Sequence, residues 1–274
     1  MEIFSIGIIG GTGSMGKWFA SFFQREGYPV EVSGRRIGPD ARQMAERCPV
    51  VMVGVPMEAT EEVIRMVGPL MKRDSLLMDL TSLKVAPVRA MLESSISEII
   101  GLHPLFGPRV ASLRGQNIAL CPARGERWLP WLKAILESNG AILVETAPEE
   151  HDKMMALVQA LNHFNTLMLG LTLEGQGVSI EELQRFSTPL FRGRLDHLER
   201  IISHPDLYAG LIAGNPRTGN LLSLYERNLA ELQGLIRQGD INALKERIAG
   251  MTSFQKPENN KKPIIRKRNL EKRN

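Results

Sequence analysis

Short apolar runs alternate with amphipathic stretches through the first half of the chain, and their spacing predicts strands alternating with helices. Residues 4–9 read as a strand and residues 17–26 as a helix carrying Trp18, Phe19, Phe22 and Phe23 toward one side. Further strands are predicted over 29–32, 50–55, 75–80, 98–102, 118–121 and 142–144, with helices over 42–46, 58–67, 88–92 and 128–138. Run 50–55 is apolar without alternation, the pattern of a parallel strand covered on both faces. The prediction is an α/β fold built on a doubly wound parallel sheet. From Glu149 onward the period changes, and helices are predicted over 149–173, 181–186, 189–202, 206–213, 218–238 and 243–251. Helix 149–173 is apolar on nearly every side, so it must be covered. A region this small needs a second copy of the chain to do that, which predicts a homodimer through the helical domain.

Composition narrows the class. At 43% hydrophobic and 23% charged residues, the 274-residue chain reads as globular, with room for two domains. No apolar run approaches the ~20 residues needed to span a bilayer, so no membrane partner is expected. The start, Met1-Glu-Ile-Phe-Ser-Ile, lacks a basic segment and cleavage site, and a cytoplasmic location is expected. Cys48 and Cys121 are too few and too far apart for a disulfide framework or a zinc site; both are expected to be buried thiols, and no metal is expected. The +4 net charge is misleading, because residues 255–274 hold eight Lys/Arg against two Glu. That segment is expected to be a solvated, disordered basic tail, and without interleaved aromatics it does not predict nucleic-acid binding.

Gly11-Thr12-Gly13-Ser14-Met15-Gly16 lies directly between the first strand and the first helix. In that context G-x-G-x-x-G is a dinucleotide loop: Gly11 for the tight turn, Gly13 for close approach of a pyrophosphate, Gly16 for helix–strand packing. The sheet is therefore expected to be Rossmann-type, with residues 1–147 the dinucleotide-binding domain, 148–254 the helical substrate and dimerisation domain, and 255–274 the tail. An NAD-binding site usually places an acid at the end of the second strand. This chain has Ser33, Arg35 and Arg36 there, groups that suit a 2′-phosphate. NADP is the predicted cofactor, with NAD as the alternative.

Gly101-Leu-His-Pro-Leu-Phe-Gly-Pro108 follows a strand and is expected to be a stiff loop at the sheet's carboxyl edge, where ligands bind in such folds. It carries His103, whose imidazole exchanges a proton near neutral pH. Thr81-Ser82-Leu83-Lys84 opens a second loop on that edge. In the helical half His163 lies within the apolar helix. Arg192, Asp196 and Arg200 share a face of the next long helix, which reads either as an ion-pair face or as a cationic wall for an anionic substrate.

Together with Asp79-Leu-Thr-Ser-Leu-Lys84, Glu149-Glu-His-Asp152, Gln159-Ala-Leu-Asn-His-Phe164 and Ser187-Thr-Pro-Leu-Phe-Arg192, these motifs resemble the prephenate dehydrogenase family over residues 6–251. The resemblance implies oxidative decarboxylation of prephenate to 4-hydroxyphenylpyruvate in tyrosine biosynthesis, with hydride passing to the nicotinamide. It implies His103 as the catalytic base and Ser82 beside the substrate hydroxyl. Arg200 would bind substrate carboxylate, His163 would line the pocket, and Lys84 and Arg192 would support binding. With no chorismate mutase segment ahead of Met1, it implies the monofunctional form. Three rivals remain open at this point. They are arogenate as substrate, another dehydrogenase joining a nucleotide domain to a helical one, and a non-catalytic NADP-binding regulator.

Overall fold

The computed structural model describes residues 3–35 and 37–254; Arg36 and the basic segment 255–274, both subjects of the predictions above, lie outside the described residues. The chain divides into two compact units, one ending at Leu222 and the other starting at Ser223.

The first unit is organised on a seven-stranded sheet. In chain order it holds β1 (Ile6–Ile9), α1 (Ser14–Arg25), β2 (Val30–Ser33), α2 (Ala41–Arg47), β3 (Val50–Val53), α3 (Met57–Val67), β4 (Leu76–Asp79), α4 (Val85–Ser94) and β5 (Glu98–Pro104). β6 (Asn117–Arg124), α5 (Trp128–Ser138) and β7 (Ile142–Glu145) complete the sheet region. Strand order is β2-β1-β3-β4-β5-β6-β7. β1 to β5 are mutually parallel. β6 returns antiparallel to β5, with β7 parallel to β6. The predicted doubly wound parallel sheet is present, with one antiparallel step toward its far edge: segment 105–116 contains no helix to carry the chain back across the sheet, so it reverses it.

Successive residues of each strand enter different cores. Val50 and Met52 join Phe19, Phe22, Phe23, Trp128 and Leu132 on the face covered by α1 and α5. Val51 and Val53 join Met44, Ile64, Val67 and Met91 on the face covered by α2, α3 and α4. Burial on both faces is why these strands read as continuous apolar runs.

After β7 come α6 (Pro148–Met155), a π-helical stretch (Ala156–Leu161), α7 (Asn162–Glu174), α8 (Ile180–Arg185), α9 (Pro189–Ser203) and α10 (Pro205–Ala213). The single helix expected over 149–173 is therefore interrupted by a wider turn. Met154, Leu157, Val158, Met168 and Leu171 along it remain exposed in the isolated chain. α11 (Thr218–Gln238) leaves the first unit, and the second contains α12 (Ile241–Ala249).

Candidate active site

The site forms at the carboxyl edge of β1, β4 and β5, next to the place where strand order reverses between β1 and β3. β1 ends in the glycine loop. Gly10, not Gly11, takes the left-handed turn, at φ 80°. A Cβ on Gly11 would lie 2.6 Å from Val32 Cγ1, and one on Gly16 would lie 2.5 Å from the Gly10 carbonyl. These glycines draw β2 and α1 against the loop. Gly13 and Ser14 stay exposed at the N-terminus of α1, while Thr12 packs beside Gly34. The chain thus offers an open helix N-terminus with unobstructed backbone, a cradle that fits a pyrophosphate.

Ser33 is buried, and it acts through its carbonyl, which accepts from the N–H groups of Gly10 (2.8 Å) and Gly11 (3.1 Å). Its expected role as a phosphate donor finds little support here, because the residue is only 5% exposed. Arg35 is exposed and lines a cavity of about 890 Å³ with Met57, Glu58, His204 and Asp206. The nearby acid, Glu31, is ion-paired with Arg47 at 2.6 Å.

β5 carries His103 inside the strand, opposite Ala119 of β6, and not in a loop. Pro104 can continue the strand because its missing N–H faces the β4 side, where pairing has already ended at Asp79↔Gly101. The Leu105 N–H resumes bonding to the Asn117 carbonyl at 3.0 Å. The segment beyond is tied to the nucleotide helix: Trp18 Nε1 donates to the Val110 carbonyl at 2.9 Å, and Trp18 meets Phe106 edge-on.

His103 is 3% exposed, and its Nδ1 lies 3.0 Å from Nε2 of His151 on α6. His151 Nδ1 donates to Asp152 Oδ1 at 2.8 Å. Asp152 is itself fixed, because Oδ1 accepts from the Lys84 N–H at 2.7 Å and Oδ2 from the Val85 N–H at 3.0 Å. A carboxylate only accepts, so Nδ1 of His151 must carry its proton. In the neutral pair the lone pair of His151 then faces His103, and His103 is left with a lone pair on Nε2. Gln159, on the π-helical stretch, places its Nε2 3.4 Å from that atom. Burial, then the ammonium of Lys84, then His151 hold the His103 imidazole well below its usual range, so it is neutral at pH 7.

Lys84 departs from its expected role as a substrate contact. It is 0% exposed, and its ammonium donates to Asp79, itself 0% exposed, and to the Leu102 carbonyl at 3.0 Å. Gly101 makes the passage possible, since a Cβ there would sit 3.0 Å from Lys84 Cδ. The ammonium therefore braces β4 against β5 from within. Ser82 lies half-buried in the loop between Asp79 and Lys84.

One turn beyond Gln159, His163 Nδ1 lies 3.1 Å from His197 Nε2, and Thr166 Oγ1 lies 3.2 Å from His197 Nδ1. Tyr208 meets His163 edge-on. Burial and then His197 pull His163 down to about 4. Burial and then the Arg200 guanidinium pull His197 down. Arg200 lines a cavity of about 320 Å³ with Arg109, Asp196, Glu199, Ser203 and His204. Arg192 is exposed two turns earlier on α9 and does not line that cavity. Among the described residues the expected ion-pair face is absent: neither Arg192 nor Arg200 pairs with Asp196.

His151, Asp152 and Gln159 sit within motifs visible in the sequence, yet nothing in residue order assigned them to His103. Asp79 had one signal, a charge closing an apolar strand five residues before a lysine. Arg109 had none.

The comparisons with known proteins bear on the family and the fold. A relative from Methanocaldococcus jannaschii described as "probable arogenate/prephenate dehydrogenase" is 34% identical over 267 residues, covering 88% of this chain and 60% of the relative. The T-protein of Enterobacter agglomerans is 34% identical over 243 residues, covering 88% of this chain and 65% of that protein. The chain thus spans less than two thirds of the length of both. A crystal structure of prephenate dehydrogenase from A. aeolicus, in complex with hydroxyphenyl propionate and NAD+, superimposes with a TM-score of 0.75 at 19% identity, covering 92% of this chain and 97% of that one. It establishes likeness of fold. The model of the prephenate dehydrogenase nucleotide-binding domain matches residues 19–145, and that of the prephenate dehydrogenase dimerization domain matches residues 147–250. With the two halves matched in order and almost without a gap, the chain belongs to the prephenate dehydrogenase family.

Proposed function

We propose that the protein oxidatively decarboxylates prephenate to 4-hydroxyphenylpyruvate, with His103 as the base. The observation that carries this reading is the neutral imidazole of His103 at the outer end of β5, its Nε2 turned toward Gln159. From there His163 and His197 lead to Arg200 on α9. A substrate with a ring hydroxyl at one end and carboxylates at the other requires a proton acceptor and a guanidinium, the parts this reading gives to His103 and Arg200.

In this reading Nε2 of His103 takes the proton of the ring hydroxyl as that C–O bond becomes a carbonyl, with Ser82 beside it. A positioned base contributes ~10²–10⁴-fold. Arg200 binds a substrate carboxylate, and Arg109, across the same cavity, adds a second cationic group. His163, uncharged, lines the pocket. Lys84 positions His103 from inside the sheet, and Arg192 has no direct part. A nicotinamide dinucleotide, when bound, supplies the hydride acceptor. Gly11, Thr12, Gly13, Ser14, Met15 and Gly16 would hold its pyrophosphate at the N-terminus of α1. Arg35 and Arg36 would favour NADP over NAD, a preference supported by Glu31 being engaged with Arg47. The exposed apolar side chains of the helical region support a homodimer.

One observation favours a second reading. Asp196 and Glu199, without an ion-pair partner among the described residues, line the Arg200 cavity and would suit an ammonium group; arogenate carries one where prephenate has a ketone. The test is to follow reduced-cofactor absorbance with prephenate or arogenate against NADP+ or NAD+. Turnover is expected to be fastest with prephenate and NADP+. Faster turnover with arogenate selects the second reading, and no reduced cofactor with either substrate refutes the enzymatic reading.

A further inference from the structure

The chemistry just described asks His103 to hold a proton where a charge is poorly tolerated. The ring is buried, and Lys84 places an ammonium against the same strand, bonded to the carbonyl of the preceding residue, Leu102. Asp79 partners that ammonium from β4. Behind His103 the environment is the opposite. His151 is 2% exposed and directs Nε2 at His103 and Nδ1 at Asp152. Asp152 is fixed by the two N–H groups at the start of α4, while Asn215 Nδ2 holds its own carbonyl at 2.7 Å. Cys121, from β6, is pushed up to about 12 by burial and stays a neutral thiol. Lys84 and His151 are the charged or titratable groups that act on His103, with Asp79 and Asp152 as their respective partners and the neutral Gln159 in front.

We propose that His151 is the second proton carrier of this site, storing the proton that His103 takes from the substrate and keeping the resulting charge beside Asp152. The proposal rests on the reading of His103 as the base. As the substrate O–H bond breaks, an N–H bond forms at His103 Nε2. The Nδ1–H bond of His103 breaks, and a new N–H bond forms at His151 Nε2. His103 remains neutral in its other tautomer, while His151 becomes an imidazolium whose Nδ1–H stays bonded to Asp152. When CO2 leaves and the ring becomes aromatic, the phenolate oxygen takes the proton back from His103 Nε2, and both shifts reverse. No proton leaves the site, which suits a pair this deeply buried. His151 touches neither substrate nor cofactor and is a positioning residue.

The test uses the full chain in single turnovers with prephenate and NADP+, where product release does not mask the proton steps. His151→Gln keeps an acceptor for the His103 Nδ1–H but cannot take a proton. It is expected to lower the single-turnover rate by about 10- to 100-fold, the scale found for partners that orient metal-bound histidines, with KM changed by less than about threefold. Mixed H2O/D2O measurements are expected to give a curved, two-proton dependence for the wild type and a linear one for His151→Gln. A variant within twofold of the wild-type rate, or a linear dependence in the wild type, overturns the relay while leaving His103 as base. Should the variant fail to fold, the wild-type dependence alone decides. A wild type inactive on prephenate and arogenate overturns the functional reading, and this proposal with it.

Discussion

Two histidine pairs in this protein have almost the same internal geometry but different surroundings. His103 and His151 meet Nδ1 to Nε2 at 3.0 Å, with ring centroids 5.2 Å apart and planes at 70°. His163 and His197 meet through the same two atoms at 3.1 Å, with centroids 5.1 Å apart and planes at 71°. The difference lies one step back. Behind His151 stands a carboxylate at 2.8 Å, which brings a negative charge; behind His197 stands the neutral hydroxyl of Thr166 at 3.2 Å, whose one proton goes to the Asn162 carbonyl at 3.1 Å, so that it too can only accept. Asp152 therefore orders the protons of the first pair and offers a place for positive charge. The second pair has only a neutral hydroxyl behind it and faces Arg200, which opposes charge on His197. In the proposed reading the first pair serves as the base and the second as an uncharged wall, each according to its third partner.

Breaking the first pair is expected to have the largest effect. His103→Asn should lower kcat by ~10²–10⁴-fold, the worth of a positioned base, with substrate affinity nearly intact; steady-state kinetics at saturating cofactor measure it. Next is the wall beyond the second pair. Arg200→Ala removes a charge-assisted contact worth ~1.5–3 kcal/mol, so KM should rise by about 10- to 100-fold while kcat changes little. The smallest effect concerns stability. His103, His163 and His197 all have folded values depressed below 6.5, with His163 reaching about 4. As pH falls below 6.5 the unfolded chain binds protons that the folded chain refuses. The stabilisation these rings contribute is thus complete above 6.5 and declines toward pH 4. Tm should fall over that interval, and His163→Phe should flatten the decline.

The sequence carried the parts of this comparison that depend on local order. Glycines between an apolar strand and an aromatic-rich helix announced the nucleotide loop. His103 stood at the end of a buried run, and the change of period at Glu149 marked the helical half. What escaped was decided by long-range placement. Pro104 signalled a break, but its missing N–H falls where β4 no longer pairs, so the strand continues through it. The antiparallel return of β6 has no signature in a run as short as residues 118–121. The π-helical stretch that presents Gln159 changes the turn without changing composition. Lys84 reads as a loop cation, and only the room left by Gly101 lets it run inward. His151 and Asp152 lie 48 and 49 positions from His103, and only the packing of α6 against α4 and β6 brings them together.

The central claim is that His103 is a neutral ring with its lone pair on Nε2. It is tested most directly by nitrogen-15 NMR of the histidine rings, with His103 assigned by comparison with His103→Asn, through a titration from pH 8 downward. The account predicts a proton on Nδ1, none on Nε2, and no conversion to imidazolium until the pH is well below 6.5. A proton on Nε2 at pH 7, or an imidazolium forming near 6.5, would contradict it.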